Sequence, residues 1–273
     1  MLREAHVTVG GRQARYLEAG AGWPVVLLHA FPLNADMWRP QLEAVPDGSR
    51  FIAPDLRGFG PSRDSSPWPQ PATMDQFAED VGLVLDHLAI DRAVIGGLSM
   101  GGYVALALFR KSPERFAGMI LADTRSQADT AEGRAGRRQM LDLIGEGGAG
   151  GAAAVADQML PRMLGPTTLR ERPELPARVR KMIEATDPEA IAAAIEAMMG
   201  RPDSTPDLAR IGVQTLVIVG DEDGLTPPAD SEAIARRITR SRLVVLPGAG
   251  HLSSLEAPAP FSRALADFLA SNL

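Results

Sequence analysis

The chain has no cysteine. Disulfides, thiolate metal ligands and a thiol nucleophile are therefore excluded. Lysine is nearly missing as well: only Lys111 and Lys181 occur, and the remaining bases are arginines. The 28 Lys and Arg are outnumbered by 34 Asp and Glu, so the basic face that a nucleic-acid partner requires is not expected. No apolar run approaches the roughly 18 residues needed to span a bilayer. The opening MLREAHVTVGG carries charges where a secretory signal would carry an apolar stretch. A cytoplasmic protein without membrane contact is the expectation, and nothing signals an oligomer. Histidines number four in 273 residues, which makes the search for a catalytic imidazole a short one.

What is abundant is apolar side chain, 45% of the residues. That is enough for the core of one large domain, or of one domain with a modest insertion. Residues 5–19 read as two short strands around Gly10-Gly11. Further β-type runs lie at 24–28, 51–54, 93–95, 119–122, 215–219 and 243–246. Helical patterns fall between them: a piece near 37–45, then 74–88, where Phe77, Val81, Val84, Leu85 and Leu88 share one face. From about 125 to 210 the strand rhythm lapses into helix-like stretches, a glycine-rich joint at 145–151 and scattered prolines. The expected fold is α/β: a mostly parallel eight-stranded sheet with helices on both faces. Residues 1–124 and 211–273 would form the core, and 125–210 an inserted helical cap.

The stretch 93–108, AVIGGLSMGGYVALAL, passes from strand through a tight turn into a helix, with Ser99 at the apex. Gly97-Leu98-Ser99-Met100-Gly101 is a G-x-S-x-G. So sharp a turn strains its central residue and leaves no room for side chains two positions either way. The Ser99 hydroxyl then stands at the start of a helix, where the N–H of Met100 faces any developing negative charge. A helix-capping serine in a plain turn would give the same five letters. What separates the two readings is company: His29, Asp55, Ser99, Asp123 and Asp223 each fall just past a strand end, where open α/β sheets bind ligands.

A serine hydroxyl needs a base, and an imidazole base needs an acid to hold its tautomer. His6 lies in the first hairpin, and His87 falls beside its helix's apolar stripe. His29 is placed to brace a turn. His251 follows the last strand in Gly248-Ala249-Gly250-His251 and is the expected base. For the acid, Asp223 and Asp123 both end strands; Asp221 is less well placed to face the loop that carries His251.

The H-x-F-P turn at 29–32, D-x-R-G-x-G-x-S loop at 55–62, S-M-G-G at 99–102, G-x-x-D-x-x-x-P at 220–227 and G-x-G-H at 248–251 follow in one order. In this the chain resembles the α/β-hydrolase superfamily over essentially its whole length. It is most similar to the small serine esterases around the 3-oxoadipate enol-lactone hydrolases, and next to the cofactor-free haloperoxidase-like perhydrolases. The resemblance implies Ser99 as nucleophile, His251 as base, Asp223 as acid, and the N–H groups of Phe31 and Met100 as oxyanion donors. It implies a small ester or lactone substrate with no metal or organic cofactor. A serine nucleophile also excludes the aspartate-based dehalogenases and epoxide hydrolases of this fold.

Two positions depart from the family pattern. Ala30 stands where a glycine usually follows the histidine, which is expected to displace Phe31 N–H slightly. Phe59 replaces a frequent histidine, a change expected to be neutral. Two alternatives remain: a perhydrolase that uses the same triad to make peracids from a carboxylic acid and peroxide, and a triad-retaining small-molecule receptor of this fold. For the substrate walls, Trp38, Met140, Leu143 and Met163 are expected, with Met100, Met159 and Leu164 as further apolar candidates; Met and Leu at helical spacing read equally as core. Arg134, Arg137 and Arg138 form either a site for a substrate carboxylate or a solvated helix face beside Asp129, Glu132 and Asp142.

Overall fold

The computed structural model describes residues 1–60 and 72–271. Pro61 and Ser62, the end of the glycine-punctuated loop, lie outside the described residues. One sheet contains eight strands: β1 Arg3–Val9, β2 Arg12–Gly20, β3 Trp23–Leu28, β4 Ser49–Pro54, β5 Ala93–Leu98, β6 Phe116–Ala122, β7 Gln214–Gly220 and β8 Ser241–Leu246. Their spatial order is β1-β2-β4-β3-β5-β6-β7-β8. The pairings of β1 with β2 and of β2 with β4 are antiparallel, and all the others are parallel. Central parallel strands are covered on both faces, so their sequences are unbroken apolar runs. Residues 25–28 and 216–219 are accordingly at most 1% exposed. At the edge, β8 is only half-buried.

Of the strands that run past the sequence pattern, β5 and β6 extend furthest, by three residues each. β5 does not stop at Ile95, because Gly96 and Gly97 pair with Leu27 and Leu28 of β3 on one side and with Ile120 and Leu121 of β6 on the other. Glycine is a weak strand former, but ladders on both sides hold it extended. β6 starts at Phe116, which pairs with Ala93. The helical piece expected near 37–45 is a 3₁₀ turn, Ala35–Trp38, running into the short helix α1, Arg39–Leu42.

Helix α2, Met74–His87, begins in a capping box between Thr73 and Gln76. It packs against α3, Met100–Lys111, which follows the elbow. Between β6 and β7 lie α4 Ala131–Gly147, α5 Gly151–Met163, α6 Pro166–Glu171, α7 Leu175–Glu184 and α8 Pro188–Gly200. In α8 seven residues are buried, in α4 only Ile144; α4 is thus the outer layer of this helical stretch. The chain closes with α9 Pro228–Ala235, α10 Ser253–Glu256 and α11 Pro258–Ala270. Helices cover both faces of the sheet. Among the described residues no helix is long and apolar enough to cross a membrane.

This topology gathers polar residues at one edge. His29, Asp55, Ser99 and Asp123 are each the first residue beyond β3, β4, β5 and β6, and Asp223 lies three beyond β7. Parallel strands share a direction, so these positions crowd the carboxyl ends of the sheet.

Candidate active site

Ser99 has φ +56° and ψ −112°, a region that a residue with a Cβ keeps only when its surroundings enforce it. Here they do. Ser99 N–H donates to the Ala122 carbonyl at 2.9 Å, and the Ser99 carbonyl accepts from Gly102 N–H at 2.9 Å. The Thr124 hydroxyl donates to that same carbonyl at 2.8 Å. A Cβ on Gly97 would lie 2.5 Å from the Gly101 carbonyl carbon, and one on Gly101 would overlap the Leu28 carbonyl oxygen. The two glycines let strand and helix touch, and the touch fixes the turn. No spacing rule in the sequence marks Thr124.

Asp223 and His251 meet directly. His251 Nδ1 is 2.9 Å from Asp223 Oδ2 and 3.1 Å from Oδ1. The carboxylate also accepts from Leu225 N–H at 2.8 Å, Thr226 N–H at 2.9 Å and the Thr226 hydroxyl at 2.7 Å. Burial pushes the Asp223 carboxyl up, but the His251 charge and the bonds from His251 and Thr226 outweigh it and hold the group low. A carboxylate facing Nδ1 assigns the proton to that nitrogen and leaves the Nε2 lone pair free.

The other two acids go elsewhere. Asp123 Oδ1 accepts from Gly220 N–H at 2.9 Å, and Oδ2 is bound by the Ser253 hydroxyl. Burial, and then the charge of Asp223, push Asp123 well above the usual carboxylate range. Asp221 does reach the loop of His251, but at its far end, where it accepts from Gly248 N–H at 2.7 Å.

A cavity of about 440 Å³ opens above the elbow, lined by Ser99, His251, Phe31 and Thr226 together with Tyr103, Met140, Met159 and Met198. Of the expected wall residues, Met140 and Met159 are therefore on it. Trp38, Met100, Leu143, Met163 and Leu164 are not among the lining residues. Trp38 is fully buried, its ring 5.8 Å from that of Phe261 in α11. Its turn tucks it into the core. Met163 and Leu164 are buried likewise, and Leu143 lies one turn beyond Met140.

Arg137 also lines the cavity, but its Nε donates to Asp129 at 2.5 Å. Arg201 donates to the same carboxylate at 2.7 Å and lies 4.1 Å over the Tyr103 ring. Burial pushes Asp129 up; the two arginines outweigh it and hold the group low. Arg134 and Arg138 are exposed and absent from the lining. The three arginines thus do not converge on one ligand position.

His29 is locked. Its Nδ1 lies 3.0 Å from the Ala30 carbonyl, and Nε2 accepts from Leu56 N–H at 2.9 Å. Phe59 packs edge-on against the ring at 5.0 Å. Burial pushes this imidazole down to about 4 against the opposing bond to Ala30. His6 and His87 are exposed, which leaves His251 as the histidine on the cavity. Among the described residues no group of three or more His, Asp or Glu is arranged to hold a metal ion.

A strand–turn–helix serine, a paired acid and imidazole, and a shared cavity at the carboxyl edge of a mostly parallel sheet define a hydrolase scaffold. The chain belongs to the alpha/beta hydrolase fold family, whose pattern matches residues 24–258. It is 31% identical over 241 residues to 3-oxoadipate enol-lactonase 2 of Acinetobacter baylyi, covering 88% of this chain and 86% of that one. A provisionally named non-heme chloroperoxidase of Synechocystis is 31% identical over 267 residues, 90% of this chain and 92% of the relative. Among solved structures, a thermophilic esterase from Thermogutta terrifontis with malate bound superposes with a TM-score of 0.91 at 40% identity, covering 98% of each chain.

Proposed function

We propose that this protein hydrolyses a small carboxylic ester or lactone through an acyl-enzyme. The observation that carries the reading is the His251–Asp223 pair at 2.9 Å opening onto the cavity that Ser99 lines. As substrate enters, the Ser99 hydroxyl turns to His251 Nε2 across the cavity both residues line and donates to it. His251 takes the proton while Ser99 Oγ attacks the carbonyl, and Asp223 stabilises the imidazolium. The N–H groups of Met100 and Phe31 receive the oxyanion; loss of one such donor costs about 10²–10³ in turnover. His251 returns the proton to the leaving oxygen, then activates the water that releases the acid. The helices between β6 and β7 act as the cap over this site, with Met140 and Met159 contributing apolar wall.

The relatives support the substrate class: one is named an enol-lactonase and one an esterase. The experiment is hydrolysis of p-nitrophenyl acetate by wild type and Ser99→Ala. The variant is expected to lose on the order of 10⁶ in kcat; more than a tenth of wild-type activity overturns the assignment. An acyl-chain and lactone panel then ranks substrates. The chloroperoxidase relative supports a second reading, in which the same serine forms a peracid and water from a carboxylic acid and hydrogen peroxide. Bromination of monochlorodimedone with acetate, peroxide and bromide tests it.

A further inference from the structure

Glu256 is buried at the end of α10, five residues after His251, and is absent from the cavity lining. Its carboxylate is nonetheless fully engaged with backbone. Oε2 accepts from Gly250 N–H at 2.9 Å and from Gly165 N–H at 2.8 Å. Oε1 accepts from Leu252 N–H at 2.9 Å. Gly250 and Leu252 are the two neighbours of His251. Gly165 belongs to the helical stretch and caps α6.

The contact at Gly165 is tight. A Cβ there would lie 2.9 Å from Gly250 N and 2.5 Å from Glu222 Oε2. Glu222, immediately before Asp223, accepts from Thr167 N–H at 2.9 Å and from the Thr167 hydroxyl at 2.6 Å. Two carboxylates, one beside the acid and one behind the base, therefore converge on residues 165–167. We infer that Glu256 is a positioning residue for His251: it clamps the base's loop to the entrance of α6, so the imidazole is aligned only while residues 165–167 are seated.

The chemistry explains why a carboxylate stands here. Three N–H donors point at one spot, and only an acceptor with two oxygens and no hydrogen satisfies all of them. Glutamine would turn an NH₂ against at least one N–H and leave that donor buried and unpaired. The clamped loop contains Gly248 and Gly250, which offer no side chains to pin it. A displacement of about 1 Å in a catalytic group costs on the order of 10²-fold in rate.

The inference rests on His251 as base, so His251→Ala is included with wild type, Glu256→Gln and Gly165→Ala, all assayed on p-nitrophenyl acetate and normalised by active-site titration. Glu256→Gln is expected to lower kcat about 30- to 100-fold with KM within about threefold, and to broaden the low-field Nδ1 proton resonance of His251. Gly165→Ala leaves Glu256 intact but forces residues 165–167 off the loop, and is expected to lower kcat at least about tenfold. The double variant should be no worse than the poorer single one, since both break one contact. A Glu256→Gln kcat within threefold of wild type overturns the inference, as do losses that multiply in the double variant. If Glu256→Gln does not fold, Gly165→Ala decides alone, and a kcat within threefold overturns it. Activity retained in His251→Ala overturns the base assignment instead, and the Nδ1 resonance still reports whether Glu256 fixes that ring.

Discussion

Asp123 and Asp223 are neighbouring buried carboxyl groups with opposite fates. Asp223 is held low by His251 and Thr226, whereas Asp123 is pushed well above its ordinary range by burial and by the charge of Asp223. Like charges in one site part in this way. Asp223→Asn is expected to lower kcat by about 10⁴, because His251 loses the partner that sets its tautomer. Asp123→Asn should keep kcat within about tenfold, since the amide keeps an oxygen for Gly220 N–H and turns its NH₂ to the Ser253 hydroxyl oxygen. Steady-state kinetics on the two variants side by side make the comparison. Ser99, Asp223 and His251 could be singled out from sequence because each sits in glycine-bearing local context at a strand end. Thr124 and Glu256 could not: they bind backbone, which leaves no pattern of residue types. Arg137 was visible as a charge, but its partner Asp129 and the stacking of Arg201 on Tyr103 depend on helices whose packing no local spacing encodes. Trp38 misled for a related reason, since a large apolar residue near a predicted site reads the same whether it lines a cavity or fills the core.

At the scale of an element, the unit that matters is β5, the elbow and α3. Its pattern was legible as strand, turn and helix, yet the strand's true end was not, because glycine propensity argues against the extended backbone that β3 and β6 impose on Gly96 and Gly97. Gly97→Ala would drive a methyl group into the Gly101 backbone, 2.5 Å from its carbonyl carbon. Backbone cannot swing aside as a side chain does, so a destabilisation of about 2–3 kcal/mol is expected. Urea unfolding measures it. Thr124→Val keeps the shape and removes only the bond to the Ser99 carbonyl. It should cost about 1 kcal/mol and let the elbow relax, read as a fall in kcat with KM nearly unchanged.

Over the whole molecule, two buried groups oppose each other as pH changes. His29, pushed down to about 4 from 6.5, takes up a proton on unfolding between those values, so acid removes stability across that window. Asp55, whose burial outweighs its pairing with Arg15 and pushes it up to about 6 from 3.8, releases a proton on unfolding, so acid adds stability between pH 6 and 4. His29→Gln should therefore lose less stability than wild type as pH falls from 6 to 4. Asp55→Asn should lose stability more steeply than wild type over the same range. Each change in slope approaches about 1.4 kcal/mol per pH unit, and denaturant melts at pH 4 to 7 read it.

The sheet's layout has a consequence of another kind. The chain leaves the sheet after β6 and rejoins it at β7, and Ile120 lies beside Leu216 whatever the intervening length. On the proposed reading, that stretch is expected to behave as an exchangeable cassette over a fixed reaction centre. Replacing residues 131–163, which carry Met140 and Met159 of the cavity wall, should retune which molecules are admitted and leave the proton transfers alone. A graft whose junction cuts through 165–167 should detune the reaction too, because the joint between cassette and chassis is fastened there.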